Sequence, residues 1–406
     1  MGKKNKSENV QVIVRVRPMN EKERNRGDKE AVKLDLAANN ITVEGADVAS
    51  KTFGFDAVYN NSFSQKDVYL QSIHAVVETV LQGFNATIFA YGQSGTGKTY
   101  SMAGVLSDPK QQGIIPNALN HIFDTIRNLS TDNMEYSVMA SFVELYNGKC
   151  RDLLVDGRAN LELKENQAKQ FFVKDLTHHV VKDTMEAMKL MDAGLARREV
   201  KSTDLNADSS RSHSLFSVYV RTHDKVNDVR TESKLNLVDL AGSERQKQSG
   251  ATGETLNEGN NINQSLTALG MVIDCLVKGK PHIPYRSSPL TMLLKDGLGG
   301  NSRTVIVGTC SPGEGAAHET VSSLRFLDRA KQIKNKPTVQ MDPKDAKIAE
   351  LQEEVKSLRA RLGLGKGDDA DEGGEGDDAA KQNYIKSFDS EVEKLRNRVE
   401  ELEVQA

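Results

Sequence analysis

The segment of the chain most suited to chemistry is a glycine-rich run that ends in a lysine and a threonine. Residues 92–99 read Gly-Gln-Ser-Gly-Thr-Gly-Lys-Thr. Glycines let the backbone approach an oxyanion closely, and the N–H groups of such a loop cradle phosphates at the start of a helix. Lys98 can reach the β- and γ-phosphates of a nucleotide, and the Thr99 hydroxyl can bind Mg²⁺. The apolar residues 86–91 have the character of a buried strand that leads into this loop.

Two further segments have the residue types to complete a phosphate site. An apolar run ends at Asp239, and Gly242 follows three residues later. An aspartate in this position can hold Mg²⁺, and a glycine N–H beyond it can contact a γ-phosphate. Residues 206–213 combine three serine hydroxyls with an arginine. Each segment alone also fits an ordinary turn or a solvated polar loop.

Taken together, these three segments resemble the kinesin motor domain. Residues 92–99 are similar to its P-loop, residues 206–213 to its switch I and residues 239–244 to its switch II. Residues 14–18 resemble the strand end on the adenine side, and the resemblance spans residues 8–340 in the order of the family. The Asn/Thr-Lys-x-Asp signature of guanine recognition does not occur in the sequence, so the expected base is adenine.

The expected fold is an α/β P-loop NTPase of kinesin type, with a central mixed eight-stranded sheet and three helices on each face. Strand patterns occupy residues 10–16, 137–145, 215–222 and 304–309. Helix patterns occupy residues 67–82, 116–129, 260–278 and 322–333. The helix at 260–278 resembles the relay helix that faces the track in the family.

The expected domain divisions follow from the end of this resemblance. They are a motor domain over residues 1–335, a neck linker over 336–345, a neck coiled coil over 346–362, an acidic glycine-rich hinge over 363–380 and the start of a second coiled coil over 381–406. Pro337 and Pro343 cannot continue the preceding helix, so the linker is expected to be extended and mobile. The resemblance implies that its docking along the motor core drives the step, whereas an inert spacer would need no coupling to nucleotide.

Apolar residues recur at alternating steps of three and four in the last part of the chain, from Ile348 to Leu362 and again from Ile385 to Leu402. Seven acidic residues lie between residues 368 and 378 and interrupt this seam. A coiled coil with a partner chain is the favoured interpretation, either as a homodimer or as a heterodimer. An amphipathic helix lying on the motor is the alternative. The pattern is still running at Ala406, so we expect a stalk to continue beyond it.

Composition narrows the classes of partner. The chain carries a formal charge of −3, divided into −7 over residues 341–406 and +4 over residues 1–340. This excess is too small and too scattered to indicate nucleic acid. No run of 18 apolar residues occurs, so no membrane insertion is expected. The three cysteines have no metal-ligand spacing, and the eight histidines form no ligand constellation in the sequence.

The resemblance implies ATP or ADP with Mg²⁺ in the site, bound by residues at the matching positions. The expected nucleotide-binding residues are Arg15, Pro18, Gly92, Gln93, Ser94, Gly95, Thr96, Gly97, Lys98, Thr99 and Tyr100. The expected metal ligands are Thr99, Ser210 and Asp239. The expected catalytic and switching residues are Asn206, Ser209, Ser210, Arg211, Gly242 and Glu244. Arg211 and Glu244 are expected to form the ion pair that closes switch I on switch II, and a plain surface ion pair is the alternative.

Microtubules are the expected track. The candidate tubulin contacts are Lys247, Lys278, Lys280 and Arg286. Gln264, Pro289 and Met292 stand where kinesins usually carry cations, and Gly148 stands where a glutamate is usual. The loss of three cations is expected to weaken microtubule affinity or to make it more sensitive to salt.

The expected function is an ATP-driven, plus-end-directed microtubule motor in the cytoplasm, most similar to the ciliary and heterotrimeric class of intraflagellar transport. The assignment to this class rests on residues 343–346 of the neck and on residues 17–23. Two alternatives remain open, a non-motile regulator that binds microtubules and a nucleotide-dependent binding module without turnover. The ATPase rate with and without microtubules would separate them.

Overall fold

The computed structural model of the chain describes residues 7–45, 48–204, 211–244 and 254–340, with side chains except at 199–204 and 254–263. One compact unit extends to Gln340 and a second begins at Met341. The expected coiled coils and acidic hinge lie outside the described residues. The same is true of Asn206, Ser209, Ser210 and Lys247.

A mixed central sheet organises the first unit. Its strands are Gln11–Val16, Ala57–Tyr59, Ala86–Tyr91, Met134–Tyr146, Lys149–Asp152, Ala159–Leu161, His179–Val181, His213–Asp224, Val229–Asp239 and Arg303–Cys310. Five strands are parallel to one another, in the spatial order Val229–Asp239, Ala86–Tyr91, Arg303–Cys310, Gln11–Val16 and Ala57–Tyr59. The other strands join by antiparallel pairing beside Val229–Asp239.

The mixed sheet is confirmed, and within the described residues it contains ten strands where eight were expected. The additional pairing lies at one edge, where short segments such as Ala159–Leu161 and His179–Val181 extend the ladder. These segments have three residues each, too few to show the alternation that marks a strand in sequence.

In the described part of the chain, three helices pack on each face of this sheet as expected, besides the short helix Lys98–Met102 that follows the glycine-rich loop. The first face carries the segments Gln65–Val68, Tyr69–Ile73 and His74–Leu81, of which the middle one is a π-helical turn, and the helices Ile114–Leu129 and Thr184–Asp204. The second face carries Glu254–Val277, Pro289–Leu293 and Ala317–Ala330. Short helices also occur at Glu21–Arg26, Lys98–Met102, Tyr285–Ser287 and Glu314–Ala316.

Alternate residues of the strands separate the two cores. Ile88 and Ala90 belong to the core of the first face, and Phe89 and Tyr91 to that of the second. Every residue of Ala86–Tyr91 is therefore buried, as is typical of a parallel strand covered on both sides. The Tyr91 ring stacks on Phe326 of the second face, with ring centroids 3.8 Å apart.

Smaller strand pairs surround the sheet. They are the three-stranded sheet Val32–Asp35, Asn40–Gly45 and Val48–Gly54, the hairpin Leu163–Glu165 with Phe171–Val173, and the pair Glu8–Asn9 with Lys334–Asn335. Among the described residues, no helix is both long and apolar enough to cross a membrane.

The carboxyl ends of the parallel strands meet at one edge of the sheet. Strands ending at Val16, Tyr91, Asp239 and Cys310 run in the same direction and are neighbours. Ligand sites of α/β sheets form outside this edge. The segments at residues 14–18, 92–99 and 239–244 are therefore brought to one place, and of residues 206–213 only 211–213 are described.

Candidate active site

The loop at residues 92–97 leaves the central strand in close contact with its neighbour. A β-carbon at Gly92 would lie 2.2 Å from the carbonyl oxygen of Thr309, so a side chain cannot be accommodated there. The Thr96 hydroxyl lies 2.7 Å from that of Thr309 and also donates to the Gln93 carbonyl. Gly97 caps the following helix with φ of +99°, a conformation that favours glycine. The loop is thus fixed at the amino end of Lys98–Met102.

Lys98 lies inside this loop and not on the surface. Its side chain is buried, and the ammonium donates to the carbonyl oxygens of Gly92 at 2.9 Å and Gln93 at 3.0 Å. A buried ammonium is stable only where such acceptors surround it. The site therefore holds a fixed positive charge where the loop bends.

Thr99 and Asp239 meet between the two adjacent strands. The Thr99 hydroxyl donates to Asp239 Oδ2 at 2.7 Å. The other carboxylate oxygen, Asp239 Oδ1, is buried and has no hydrogen-bond partner among the described residues. Because a buried carboxylate oxygen without a partner is costly, it marks a position for a cation or a bound water. A hydroxyl and a carboxylate are oxygen ligands of the kind that Mg²⁺ prefers.

Arg198 is a site residue that no sequence pattern predicts. Its side chain is buried, and it donates to Asp239 Oδ2 at 3.0 Å and to the Ser212 carbonyl at 2.9 Å. It comes from the helix Thr184–Asp204, whose polar sequence shows no spacing that marks this one residue. The guanidinium links that helix to the strand that carries Asp239.

Glu244 contacts the phosphate loop directly. Its carboxylate accepts hydrogen bonds from the Ser94 amide at 2.8 Å and from the Ser94 hydroxyl at 2.5 Å. Gly242 lies beside this contact, where a β-carbon would be 2.2 Å from Ser94 Oγ. The expected Arg211–Glu244 ion pair does not occur in this arrangement of the described residues, and it stays a prediction for a closed state. Arg211 instead lines a cavity of about 180 Å³.

His213 connects the Asp239 strand end to the helix Glu254–Val277. Its Nδ1 accepts a hydrogen bond from the Ala241 amide at 2.9 Å, so Nε2 carries the proton and donates to Ser265 Oγ at 2.8 Å. Burial lowers the pKa of His213 to about 3, and the nearby Arg198 charge acts in the same direction. The ring is therefore a neutral, oriented link between Ala241 and Ser265.

The adenine-side residues line a cavity of about 410 Å³ next to the loop. Arg15, Pro18, Gly97 and Tyr100 all contribute to its wall. The Arg15 guanidinium lies 5.2 Å from the centre of the Tyr100 ring and donates to Gln65 Oε1 at 2.6 Å. A flat cation beside an aromatic ring offers stacking surfaces to a planar base.

Arg17 anchors the loop to the strand end, a role that its place in the sequence does not predict. Its Nε donates to the Gly95 carbonyl at 2.7 Å, and the rest of the fork binds both oxygens of Glu23. Glu23 is buried and also accepts from Ser311 at 2.5 Å. Hydrogen bonding to Arg17 lowers the pKa of Glu23 to about 2. In the sequence, Arg17 stands out only as the second arginine of Arg-Val-Arg-Pro, at residues 15–18.

Comparison with known proteins agrees with this geometry. The family profile described as the kinesin motor domain matches residues 15–333. The chain belongs to the kinesin family. A solved structure described as that of a fast kinesin, with implications for ATPase mechanism and interactions with microtubules, is 41% identical with a TM-score of 0.78. That match covers 82% of this chain and 94% of the other.

Three of the four candidate track contacts of this kinesin are described, and all three are exposed. Lys278 lies 4.0 Å from Asp274, and Arg286 donates to Glu165 at 2.5 Å. Lys280 follows the end of Glu254–Val277. Exposure makes these cations accessible to an acidic partner.

Two departures from the kinesin pattern have local structural causes. Pro289 is the first residue of the helix Pro289–Leu293, a position that tolerates the missing N–H. Asn147 and Gly148 form the turn between two antiparallel strands with φ of +50° and +73°. Two-residue turns of this kind favour Asn-Gly. Gln264 is exposed, and nothing in the structure explains the residue chosen at that position or at Met292.

Residues 336–340 of this kinesin lie along the motor core in an extended conformation. The Lys336 amide donates to the Gly300 carbonyl at 2.9 Å, and the Thr338 amide to Asn301 Oδ1 at 2.6 Å. Further along, Gln340 donates to the Gly83 carbonyl at 2.8 Å. These residues were expected to be mobile, and here they are hydrogen-bonded to the core. Residues 341–345 of the expected linker lie outside the described ranges.

Proposed function

We propose that this protein is an ATP-driven microtubule motor. The observation that carries the proposal is the convergence of Lys98, Thr99, Asp239 and Glu244 at one edge of a kinesin-type sheet. Phosphoryl transfer to water requires a positive charge, oxygen ligands for a metal and a carboxylate that can change its partner, and these residues supply all three.

The loop and its lysine bind the phosphates. Backbone N–H groups of residues 93–99 supply donors, and Lys98 exchanges its carbonyl acceptors for phosphate oxygens. Arg15 and Tyr100 hold the adenine at the mouth of the neighbouring cavity, with Pro18 closing its edge. Binding at three places orients the γ-phosphate before any bond is broken.

The residues present fit a magnesium ion. Thr99, Asp239 and, by resemblance, Ser210 would hold it, with Asp239 acting through a bound water. When bound, Mg²⁺ neutralises charge that develops on the phosphate oxygens. The buried Asp239 Oδ1, which has no hydrogen-bond partner in the described part of the chain, supports this assignment.

Attack by water needs positioning and not a covalent intermediate. We assign Asn206 and Ser209 to position the water, and Arg211 with Glu244 to exclude bulk solvent when switch I closes on switch II. Glu244 must leave Ser94 to reach Arg211, so closure and release of the loop contact are one event. A carboxylate next to the site can then accept a proton from the attacking water through a water chain.

Coupling to movement runs through switch II. Gly242 senses the γ-phosphate, and the adjacent Ala241 reaches the relay helix through His213 and Ser265. A change at Gly242 would shift this helix and change the slot in which residues 336–340 lie. We assign residues 336–345 as the neck linker whose docking produces the step.

The deciding experiment is ATP turnover with and without microtubules, at low and at moderate salt. Stimulation by microtubules is expected, with Lys98→Ala as the inactive control. Microtubule binding without stimulation would favour a non-motile regulator. No response at low salt would show that Gln264, Pro289 and Met292 have removed the track site.

We further propose plus-end-directed transport by a member of the ciliary, heterotrimeric class. A motor followed by its linker supports the direction, and the acidic glycine-rich segment after a short seam supports the class. Gliding of polarity-marked microtubules tests the direction. Localisation of the tagged full-length chain to the cilium or flagellum, against cytoplasmic microtubules alone, tests the class.

The seams at residues 346–362 and 381–406 are proposed to pair with a partner chain. Because the acidic segment between them repels itself, self-pairing is disfavoured. Sedimentation of the chain alone tests this assignment. A monomer is expected at micromolar concentration, and a stable homodimer would contradict it.

A further inference from the structure

Three side chains with metal-binding atoms gather on the first face of the sheet and share no residue with the nucleotide site. They are His74, Glu78 and His121, and one ligand atom from each lies within 4.8 Å of the other two. We propose that they form a binding site for a divalent transition-metal ion of the zinc type. The sequence had suggested no histidine constellation, because His121 joins the other two only through the packing of two helices.

The secondary structure places the three residues together. His74 and Glu78 lie one turn apart on the helix His74–Leu81, so their side chains share a face. His121 projects from the helix Ile114–Leu129, which packs against that face. The ligands therefore come from two rigid elements and not from a loop, which favours a defined geometry.

The donor set suits zinc better than magnesium. Two imidazoles and one carboxylate, with a fourth position left for water, are a known zinc arrangement, whereas Mg²⁺ prefers oxygen ligands. Zinc bonds of about 2.0–2.1 Å place tetrahedral ligand atoms roughly 3.3 Å apart. His121 Nε2 and Glu78 Oε2 are 2.7 Å apart, and a ligand atom of His74 lies within 4.8 Å of those of the other two residues, so side-chain rotation is required to reach that spacing.

The ring of His121 is already oriented for this role. The Tyr69 hydroxyl lies 2.8 Å from Nδ1, which leaves Nε2 directed at Glu78. The His74 ring stacks on that of His121, with centroids 4.0 Å apart and planes at 10°, so His74 must rotate before both imidazoles can bind one ion in their ring planes. A second partner on the distal nitrogen is typical of metal-binding histidines, because it fixes the tautomer and the ring orientation.

The approach of Tyr69 depends on an irregularity of the helix. Tyr69–Ile73 forms a π-helical turn that ends directly before His74. Such turns are rare and occur frequently at functional sites. The turn sets the relation between Tyr69, which contacts His121, and the two ligands that follow on the same helix.

Solvent can reach the cluster. The Glu78 side chain is 39% exposed and that of His121 is 10% exposed. An ion can therefore enter from the Glu78 side and keep a water ligand there. The alternative is a simple histidine–glutamate hydrogen bond without a metal, and binding measurements separate the two.

The test uses the complete chain, freed of metal with a chelator and kept in Mg²⁺ and ADP so that the nucleotide site is filled. Co²⁺ is titrated and followed by its visible absorption, and Zn²⁺ is then added as competitor. We expect one tetrahedral Co²⁺ per chain, displaced by Zn²⁺ and not by millimolar Mg²⁺. Tyr69→Phe should weaken binding about tenfold, as loss of a supporting hydrogen bond does at other metal sites.

Ligand variants decide the assignment. His74→Ala and His121→Ala should each weaken binding at least tenfold. The matched control is His223→Ala, because His223 also lies beside two carboxylates, at 2.8 Å from Asp228 and 3.7 Å from Glu135. If His121→Ala does not fold, Glu78→Gln replaces it as the test variant, and its melting temperature without metal shows whether it is folded. Absence of tetrahedral binding, or equal loss in His223→Ala, would overturn the proposal.

Discussion

The Glu244 carboxylate is bound to Ser94, accepting its amide hydrogen at 2.8 Å and its hydroxyl hydrogen at 2.5 Å. Glu244, which we propose closes the site, is therefore held on the phosphate loop. The two hydrogen bonds join residues that lie 150 positions apart in the sequence. Closure on Arg211 requires an exchange of partners. Turnover should depend on how readily this exchange occurs.

Glu244→Ala is expected to lower microtubule-stimulated turnover about 100-fold or more, because the closed arrangement and its route for the proton are lost. Arg211→Ala should have the same effect. Fluorescent ADP should still bind both variants, since the loop and Lys98 are intact. Phosphate release and nucleotide binding are the two measurements. Normal turnover in either variant would contradict the assignment, and Ser94→Ala is the milder control.

Asp239→Asn should weaken the magnesium site without removing the loop. The variant keeps the shape of the side chain but loses the charge at the buried Oδ1. We expect the Mg²⁺ concentration that supports tight ADP binding to rise about tenfold or more. Release of fluorescent ADP after addition of a chelator measures this. If the chelator accelerated ADP release from the variant as much as from the parent chain, Asp239 would have no role in binding magnesium.

Arg17→Lys is expected to lower nucleotide affinity about tenfold, because a lysine cannot hold Gly95 and both oxygens of Glu23 at once. Arg26→Ala is the matched control. Its pair with Asp28 lies at the surface, with the Arg26 side chain 59% exposed. Equilibrium binding of fluorescent ADP compares the two, and equal affinities would show that the Arg17 anchor has no role in the site.

The stability of the motor should fall as the pH drops below 6.5, in part through His213. Its folded pKa of about 3 lies below the ordinary value of 6.5. The unfolded chain therefore binds a proton that the folded chain refuses over this interval, so the stabilisation is complete above pH 6.5 and is lost toward pH 3.

His213→Gln should flatten this dependence by up to about 1.4 kcal/mol per pH unit. Urea unfolding between pH 7 and pH 4.5 measures it. His178→Gln, which replaces an exposed ring, should run parallel to the parent protein. If the His213 variant also ran parallel, the buried neutral ring would not be the cause.

Asn301→Ala should slow movement while leaving basal ATP turnover unchanged. The substitution removes the acceptor of the Thr338 amide, a hydrogen bond worth about 1 kcal/mol. The ratio of docked to undocked residues 336–340 should then fall roughly fivefold. Microtubule gliding velocity is the measurement, and Asn227→Ala, in the exposed turn between the strands His213–Asp224 and Val229–Asp239, is the control. Unchanged velocity would mean that this contact does not limit the step.

The sequence predicted best what depends on local spacing. Lys98 and Thr99 follow from one loop pattern, and the strand at residues 86–91 follows from its apolar run. Arg198 and Arg17 were not predicted as site residues, because their roles come from packing against Asp239 and Gly95 on distant segments. For Glu244 the resemblance predicted Arg211 as the partner, and nothing in the sequence indicates the contact with Ser94.

The contacts of residues 336–340 are arranged in series along the chain, from Lys336 to Gln340. A load pulling the far end away from the core would fall first on the backbone hydrogen bonds of Gln340 to Gly83 and Glu232, and then on each earlier bond in turn. Bonds broken one at a time resist far less force than bonds sheared together. The docked segment should therefore peel away under modest tension directed away from the core, and it should resist tension directed along the segment, which loads its hydrogen bonds together.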